Sequence, residues 1–548
     1  MMVLAFRLHR WGIVGYGGFM AFNAALNGAA FLQVAGNTPA QRQALAHSMA
    51  ILGPAFRWIT PPPLRVDSLG GYLDWRALAL APVILGLWGV LAGTGVTRGD
   101  DERHLLEHWL GAGVPRRGLV MARMGGFGLA VAAALAIGGL PVVGLSWLTG
   151  EPVSVAGLAA ESLSLGLVAL VFFALGMLCG QLWPTRRAAA GAAAGVLVSA
   201  FVWSSLVRLH PGLEFLDWLS PLAVGGRTRS LVPGGAVDWG GILALLVIAA
   251  GLATLAAVAF QRRDLSNTLF AGRRRPRLPS RTPPDSSLFR FPIAVRLYQQ
   301  RLGLAAWSVG LVAWALLWVQ LVRPLVQLSR DALAMSGPGS PDMVRILTGS
   351  GHGTLFEGTV GFGWFGGLAC ALVAAYAITE VARWAREEES GQLEATLSAP
   401  ISRWRVMAHR AVALGLGALA LIVAGHLAIV VGTRLDGIVL DPGRLTLASL
   451  TLLPVALSFG AAGAALVAYG PRVAVVALSI LAVLSYLDPY FAPVFKAPAW
   501  LVKLSVFNLY GSPLADGPYW PGLVAMAVIM AVGFAAAMAG MSRHDLRR

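Results

Sequence analysis

The chain has 548 residues, 57% of them apolar and only 12% charged, with a mean hydropathy of +0.70. A soluble fold of that length has too little interior for so much hydrocarbon, so the composition marks a membrane protein. The formal charge of +16 comes almost wholly from arginine, Lys496 and Lys503 being the only lysines; it reads as attraction to anionic lipid and excludes a nucleic-acid role.

Leu4-x-x-Arg7-Leu8 opens the chain as a short amphipathic helix that would lie along the inner interface, arginine toward the phosphates. The first apolar run, 12–31, is kept as a spanning helix rather than a cleaved signal. The reason is that Ala5-x-Arg7-Leu8 before it returns in mid-chain as Ala294-x-Arg296-Leu297. This run carries Asn23 and Asn27, an i,i+4 pair that would bond a neighbouring helix or a substrate. The outer segment 32–76 holds a short helix around 41–52, a rigid Pro61-Pro62-Pro63, and the acids Asp67 and Asp74.

Apolar runs at 77–97, 119–143, 155–181, 188–207 and 239–260 complete the first half. Each has about the 20 residues that cross a core of about 30 Å, and continuous runs rather than ten-residue alternation specify helices. Glu161, in the fourth run, reads either as a buried hydrogen-bonding group or as a contact for a cation or substrate. Ser220-Pro221-Leu222-Ala223 precedes the sixth run as a short interfacial or re-entrant helix, and Trp218, Trp239, Trp500 and Trp520 fit aromatic belts.

Residues 261–290 form a basic, proline-rich linker, Arg262-Arg263 through Arg273-Arg274-Arg275, Arg277, Arg281 and Arg290. Beyond it the first half is repeated. Arg42-x-Ala44-Leu45-Ala46 returns as Arg330-x-Ala332-Leu333-Ala334, and Ser220-Pro221-Leu222-Ala223-x-Gly225 as Ser512-Pro513-Leu514-Ala515-x-Gly517. Apolar runs recur at 303–322, 359–381, 406–432, 445–469, 473–490 and 521–541, with His426 in the outer half of the ninth. Such matches in one order and at nearly constant spacing indicate duplication. The expectation is an all-α protein of twelve transmembrane helices in two parallel six-helix repeats, 1–260 and 291–548. Most arginines fall on the inner side if both termini are cytoplasmic, which sets the orientation. Cys179 and Cys370 both lie inside spans, so a disulfide framework is excluded.

The informative loops follow the second and eighth spans. The first runs Arg98-Gly99-Asp100-Asp101-Glu102-Arg103-His104-Leu105-Leu106-Glu107-His108-Trp109-Leu110 and on to Arg116. The second runs Arg386-Glu387-Glu388-Glu389-Ser390-Gly391-Gln392-Leu393-Glu394-x-x-Leu397-x-x-Pro400-x-x-Arg403. In register, Leu106 and Leu110 match Leu393 and Leu397, an i,i+4 stripe on a short helix with its acids at the start, where the dipole favours them. Arg116 and Arg403 follow the turn, placed for capping or for lipid phosphate. A surface helix that merely closes a loop is one reading. The other is a docking surface, since leucines on a cytoplasmic face need a cover worth roughly 1.5–3 kcal/mol each.

The 386–403 segment resembles the cytoplasmic coupling segment of type-2 ABC exporter permeases, in particular the long duplicated permeases of the polyketide or tetronasin-type antibiotic efflux group. The resemblance covers nearly the whole chain, with an interfacial helix, six spans, a coupling segment and a Ser-Pro-Leu-Ala element in each half. The first copy departs from the pattern, with Arg103-His104 where Ser390-Gly391 stand and Gly113 where Pro400 stands. The resemblance implies a permease in a bacterial cytoplasmic membrane that exports hydrophobic compounds, antibiotics, drugs or lipids. Two copies of a separate ATPase would bind ATP and Mg²⁺, each receiving one coupling helix, and the halves would rock to change access. Glu102, Glu107, Glu388, Glu389 and Glu394 would supply charge contacts, and Leu106, Leu110, Leu393 and Leu397 the anchors. Asn23, Asn27, Glu161 and His426 are the residues to consider for a substrate path.

The chain contains no Gly-x-x-x-x-Gly-Lys-Ser/Thr loop, so no ATP site of that type is expected in it. Two other readings stay open. A proton-driven carrier also has six plus six helices, although its basic loop motif is not found between spans two and three. A membrane enzyme would use Asp67 and Asp74 as acids, but no ligand cluster accompanies them.

Overall fold

In the computed structural model the described residues are 1–35, 38–57, 59–210, 212–264, 292–336, 354–398, 402–491 and 505–543. Among them there is no strand, and ten helices are long and apolar enough to cross a membrane. The chain divides into two compact units, Met1–Pro276 and Arg277–Arg548.

The first unit runs α1 (Met2–Leu8), α2 (Arg10–Val34), α3 (Pro39–Phe56), α4 (Leu69–Glu102), α5 (Leu105–Gly111) and α6 (Arg116–Thr149). It continues with α7 (Val155–Leu182), α8 (Arg186–Leu209), the short α9 (Pro221–Gly225) and α10 (Trp239–Arg262). Side chains start the spans: Ser154, Thr185 and Asp238 accept the N–H of Gly157, Ala188 and Gly241. Lipid offers no partner for a helix's first donors, so these caps matter more here than in water. α2 is one of the twelve expected spans, but its five glycines, with Asn23 and Asn27, leave it less apolar than the ten.

The tightest helix pair is α4 against α7, and glycine makes it possible. A Cβ on Gly89 would stand 2.4 Å from the Ala169 carbonyl oxygen, and one on Gly93 would stand 2.2 Å from that of Phe173. From the other side, a Cβ on Gly180 would meet Thr97 Oγ1 at 2.2 Å. Small residues that let two backbones touch are how helices associate where the surrounding lipid is as apolar as leucine.

The second unit contains α11 (Pro292–Ser336), α12 (Leu355–Glu389), α13 (Gln392–Leu397) and α14 (Arg403–Leu435). It ends with α15 (Pro442–Tyr469), α16 (Pro471–Phe491), α17 (Val506–Tyr510) and α18 (Trp520–Arg543). In α16 the apolar stretch Val473–Tyr486 is shorter than a span. α4 and α12 open alike: Ser68 and Thr354 cap a short α segment, and a π-helical stretch begins at Asp74 and at Gly361, 287 positions apart.

Four expectations change. α1 breaks from α2 at His9, whose ring packs edge-on to Phe127, whereas the counterpart at 293–297 runs without a break into α11. Good helix formers, Leu297, Gln299, Gln300 and Arg301, cross that second junction, where the first has His9 and Gly12. α4 begins at Leu69 rather than 77, which takes Asp74 out of the loop and into a helix, paired with Arg229. Asp67 pairs instead with Arg65, so each proposed enzyme acid is held by its own arginine. The second Ser-Pro-Leu-Ala element is a turn, closed by Ala515 and Asp516 N–H on the Ser512 carbonyl and ended at Gly517 with φ +85°. Most of the basic linker, Arg273 to Arg290, and Pro400 and Trp500 lie outside the described residues.

Candidate functional site

The last turn of α4 carries Arg98, Asp100, Asp101 and Glu102 into a turn at His104 and then α5. Arg98 donates to the Pro184 carbonyl through Nε and Nη2 (2.9 and 2.6 Å) and from Nη1 to Asp101 (2.7 Å). Arg263, which follows α10, reaches the same Asp101 oxygen at 2.9 Å. Asp100 pairs with Arg123 of α6 at 2.8 Å. Glu102 is exposed, but its carboxylate accepts the backbone N–H of Arg186 at 2.7 Å, so it caps α8.

Leu106, expected to await a partner, is only 1% exposed. It packs with Leu119, Val120, Met177 and Phe260 beside a cavity of about 10 Å³ that Arg123, Thr97 and Gln181 also line. Leu110 is half-buried against the same core. The apolar stripe of α5 is therefore covered by its own unit, with side chains of α6, α7 and α10 around it. What α5 and the turn before it leave outward is mostly polar, with Arg103, His104, Glu107 and His108 exposed beside Leu105. Glu107 bonds His104 Nδ1 at 3.0 Å and, by that bond, holds the imidazole above its usual pKa.

The second segment repeats this geometry. Leu393 is half-buried against the core of its unit and Leu397 is half-buried, while Glu389 and Glu394 are exposed and Glu388 is half-buried. Glu387 pairs with Arg410 of α14 at 2.8 Å and with Arg296 of α11 at 3.6 Å. His104 (φ 59°) and Gly391 (φ 72°) both take the left-handed conformation that turns the chain into the short helix. The departure from Gly391 to His104 thus changes the residue and keeps the backbone path. Arg116 donates to the carbonyls of Phe260 and Arg263 (2.7 and 2.6 Å), and Arg403 donates to that of Met541. Each arginine therefore caps the last long helix of its unit rather than the helix it begins.

Asp100 and Glu387, Arg123 and Arg410, His104 and Gly391, and Arg116 and Arg403 are all 287 positions apart. The first two pairs escaped the sequence reading, although that constant offset was available to reveal them. At position 97 of the first unit stands Thr97, and at 384 of the second stands Trp384, 2% exposed. Arg410 lies over the Trp384 ring at 5.8 Å, whereas in the first unit Thr97 and Arg123 line the cavity beside Leu106.

The four polar residues considered for a substrate path each have a partner within the chain. Asn23 Nδ2 donates to the Ala77 carbonyl (2.9 Å), and Asn27 Nδ2 to Asn23 Oδ1 (2.8 Å). His426 Nδ1 meets Ser449 Oγ at 2.9 Å. Glu161 accepts the Leu231 N–H at 3.1 Å and lines a cavity of about 30 Å³ with Asp74, Trp75, Thr228 and Arg229, large enough for water. Among the described residues no group of acids, histidines and cysteines is arranged to hold a metal.

Two units of long apolar helices, each with a docked knuckle between its second and third long helices, define a polytopic membrane protein. Residues 6–265 match the family described as ABC-2 family transporter protein. Residues 289–541 match the family described as multidrug efflux system permease Rv1217c, C-terminal domain. The first half is thus similar to ABC-2 transporter proteins, and the second to the C-terminal domain of a multidrug efflux permease. The chain is also similar to the multidrug efflux system permease protein Rv1217c of Mycobacterium tuberculosis, with 28% identity over 385 residues, 70% of this chain and 65% of that relative.

Proposed function

We propose that this chain is the permease subunit of an ATP-driven exporter in a bacterial cytoplasmic membrane, with both termini in the cytoplasm. It moves hydrophobic compounds, drugs or antibiotics in particular, outward. Two copies of a separate ATPase bind ATP and Mg²⁺, one against α5 and one against α13. The observation that carries this reading is the duplicated knuckle, anchored inward by Leu106 or Leu393 and presenting Glu107 or Glu394 outward. A loop closure alone needs neither the repeated left-handed turn nor an exposed glutamate at Glu107 and again at Glu394. ATP-driven approach of the two ATPases would push on both knuckles and, through the long helices behind them, change which side of the membrane the path opens to.

The test uses exposed residues, since truncating buried Leu106 damages the unit itself. Affinity-tagged wild-type chain should co-purify with two ATPase copies, and Glu107→Arg/Glu394→Arg should release them while the permease still reaches the membrane. Efflux of ethidium that stops with a protonophore and continues after ATP is exhausted would instead identify a proton-driven carrier.

A further inference from the structure

We propose that Arg123 and Arg410 are the positioning residues that lock each knuckle to the third long helix of its own unit, so that a push on α5 or α13 is delivered to the spans. This rests on the reading that those helices receive the ATPases. The two ion pairs stand at the same offset of 287 positions, join the same two elements, and have the same 2.8 Å separation. The acid has meanwhile changed from Asp100 to Glu387. The surrounding residues changed more: the position of Thr97 is taken by Trp384, and that of His104 by Gly391.

Burial gives the pair its mechanical role. Arg123 is 5% and Arg410 2% exposed. Separating either from its carboxylate would leave a guanidinium uncompensated in a medium that solvates it poorly. Each acid lies four residues before the left-handed turn, so it holds the base of the knuckle, not its outer face. The first knuckle has a second fastening, Asp101 held by Arg98 at 2.7 Å and by Arg263 at 2.9 Å. Among the ion pairs of the described residues, Glu387 adds to its bond with Arg410 a longer contact with Arg296, at 3.6 Å. Removing Arg410 should therefore uncouple more than removing Arg123.

The experiment uses the assembled transporter, the tagged chain with the ATPase that co-purifies with it, in vesicles with ethidium as probe. The readout is transport per ATP hydrolysed, which a merely stabilising contact would not move in protein that has assembled. Arg410→Gln should lower that ratio roughly tenfold, Arg123→Gln by less, and the double variant at least as far as Arg410→Gln, with the ATPase still bound. The charge exchange Glu387→Arg/Arg410→Glu should restore most of the loss. A normal ratio in the assembled double variant overturns the inference and leaves the docking reading intact, whereas failure of the wild-type chain to bind any ATPase removes both. Should the glutamine variants not reach the membrane, the exchange variant decides, and one that assembles but transports as poorly per ATP as an uncoupled complex overturns the proposal.

Discussion

Truncating Leu106 tests whether α5 is fastened to its own unit. The side chain is 1% exposed, and Leu106→Ala removes about three carbons. At about 0.8 kcal/mol per buried carbon the lost burial is roughly 2.4 kcal/mol. The neighbouring cavity already shows that the surroundings do not close over empty space, so little is recovered by relaxation. With about 1.4 kcal/mol per factor of ten, the undocked population of α5 should rise roughly fifty-fold. Leu393 is half-buried, so Leu393→Ala should give about half the energy and roughly a sevenfold rise in α13. Amide hydrogen exchange on peptides covering 104–112 and 391–398, in nanodiscs, reads both numbers. Protection of α5 within about twofold of wild type, or a larger effect at Leu393 than at Leu106, would refute the reasoning.

Gly89→Ala should force α4 from α7, because its Cβ would sit 2.4 Å from a carbonyl oxygen; a loss of about 1–3 kcal/mol is expected, read as a lower thermal midpoint. His104→Gly should stabilise α5 by about 0.5–1 kcal/mol, since the strain of a left-handed non-glycine outweighs the exposed bond to Glu107; hydrogen exchange on 104–112 should slow. His9, before α2 and outside the spans, is held down to about 4 by burial and by Arg123. A basic group lowered on folding is protonated first in the undocked state. Its contribution to α1 docking is thus fully present above about pH 6.5, falls below that value, and is gone once the pH passes through about 4. At pH 5 the loss is on the order of 2 kcal/mol, and His9→Phe should remove the wild-type difference in thermal midpoint between pH 7.5 and 5. Glu161→Gln, which keeps the Leu231 N–H acceptor, should leave folding intact; ethidium efflux reduced relative to that of a neutral dye would assign Glu161 a substrate contact, and equal efflux a structural one.

Most of the helical plan was readable because apolar runs of bilayer length leave the backbone one economical solution. The edges of those runs were harder. Gly70, Gly71, Asp74 and Arg76 lower the hydropathy before 77, yet Asp74 is neutralised by Arg229 from a distant loop and the helix extends over all of them. The i,i+4 leucines were visible as a stripe, but periodicity does not say which body covers it; Leu106 is covered by α6 and α7 of its own chain. Arg123 and Arg410, a few residues inside apolar runs, look like side chains reaching back to the interface. Their partners Asp100 and Glu387 are lost among neighbouring acids until the halves are laid on each other. Glu161, for which the sequence leaves a buried hydrogen bond or a substrate contact open, is buried, and it accepts from Leu231, 70 residues away, beyond any local signal.

The three carbonyls gathered by Arg116 and the grip of Arg263 on Asp101 close the first unit upon itself at its final helix. Among the described residues that knot is made entirely of groups that precede Asp264. A gene cut between codons 265 and 291 should accordingly leave the fastening intact in the first polypeptide, and co-expression of the two pieces would measure what the covalent tether adds.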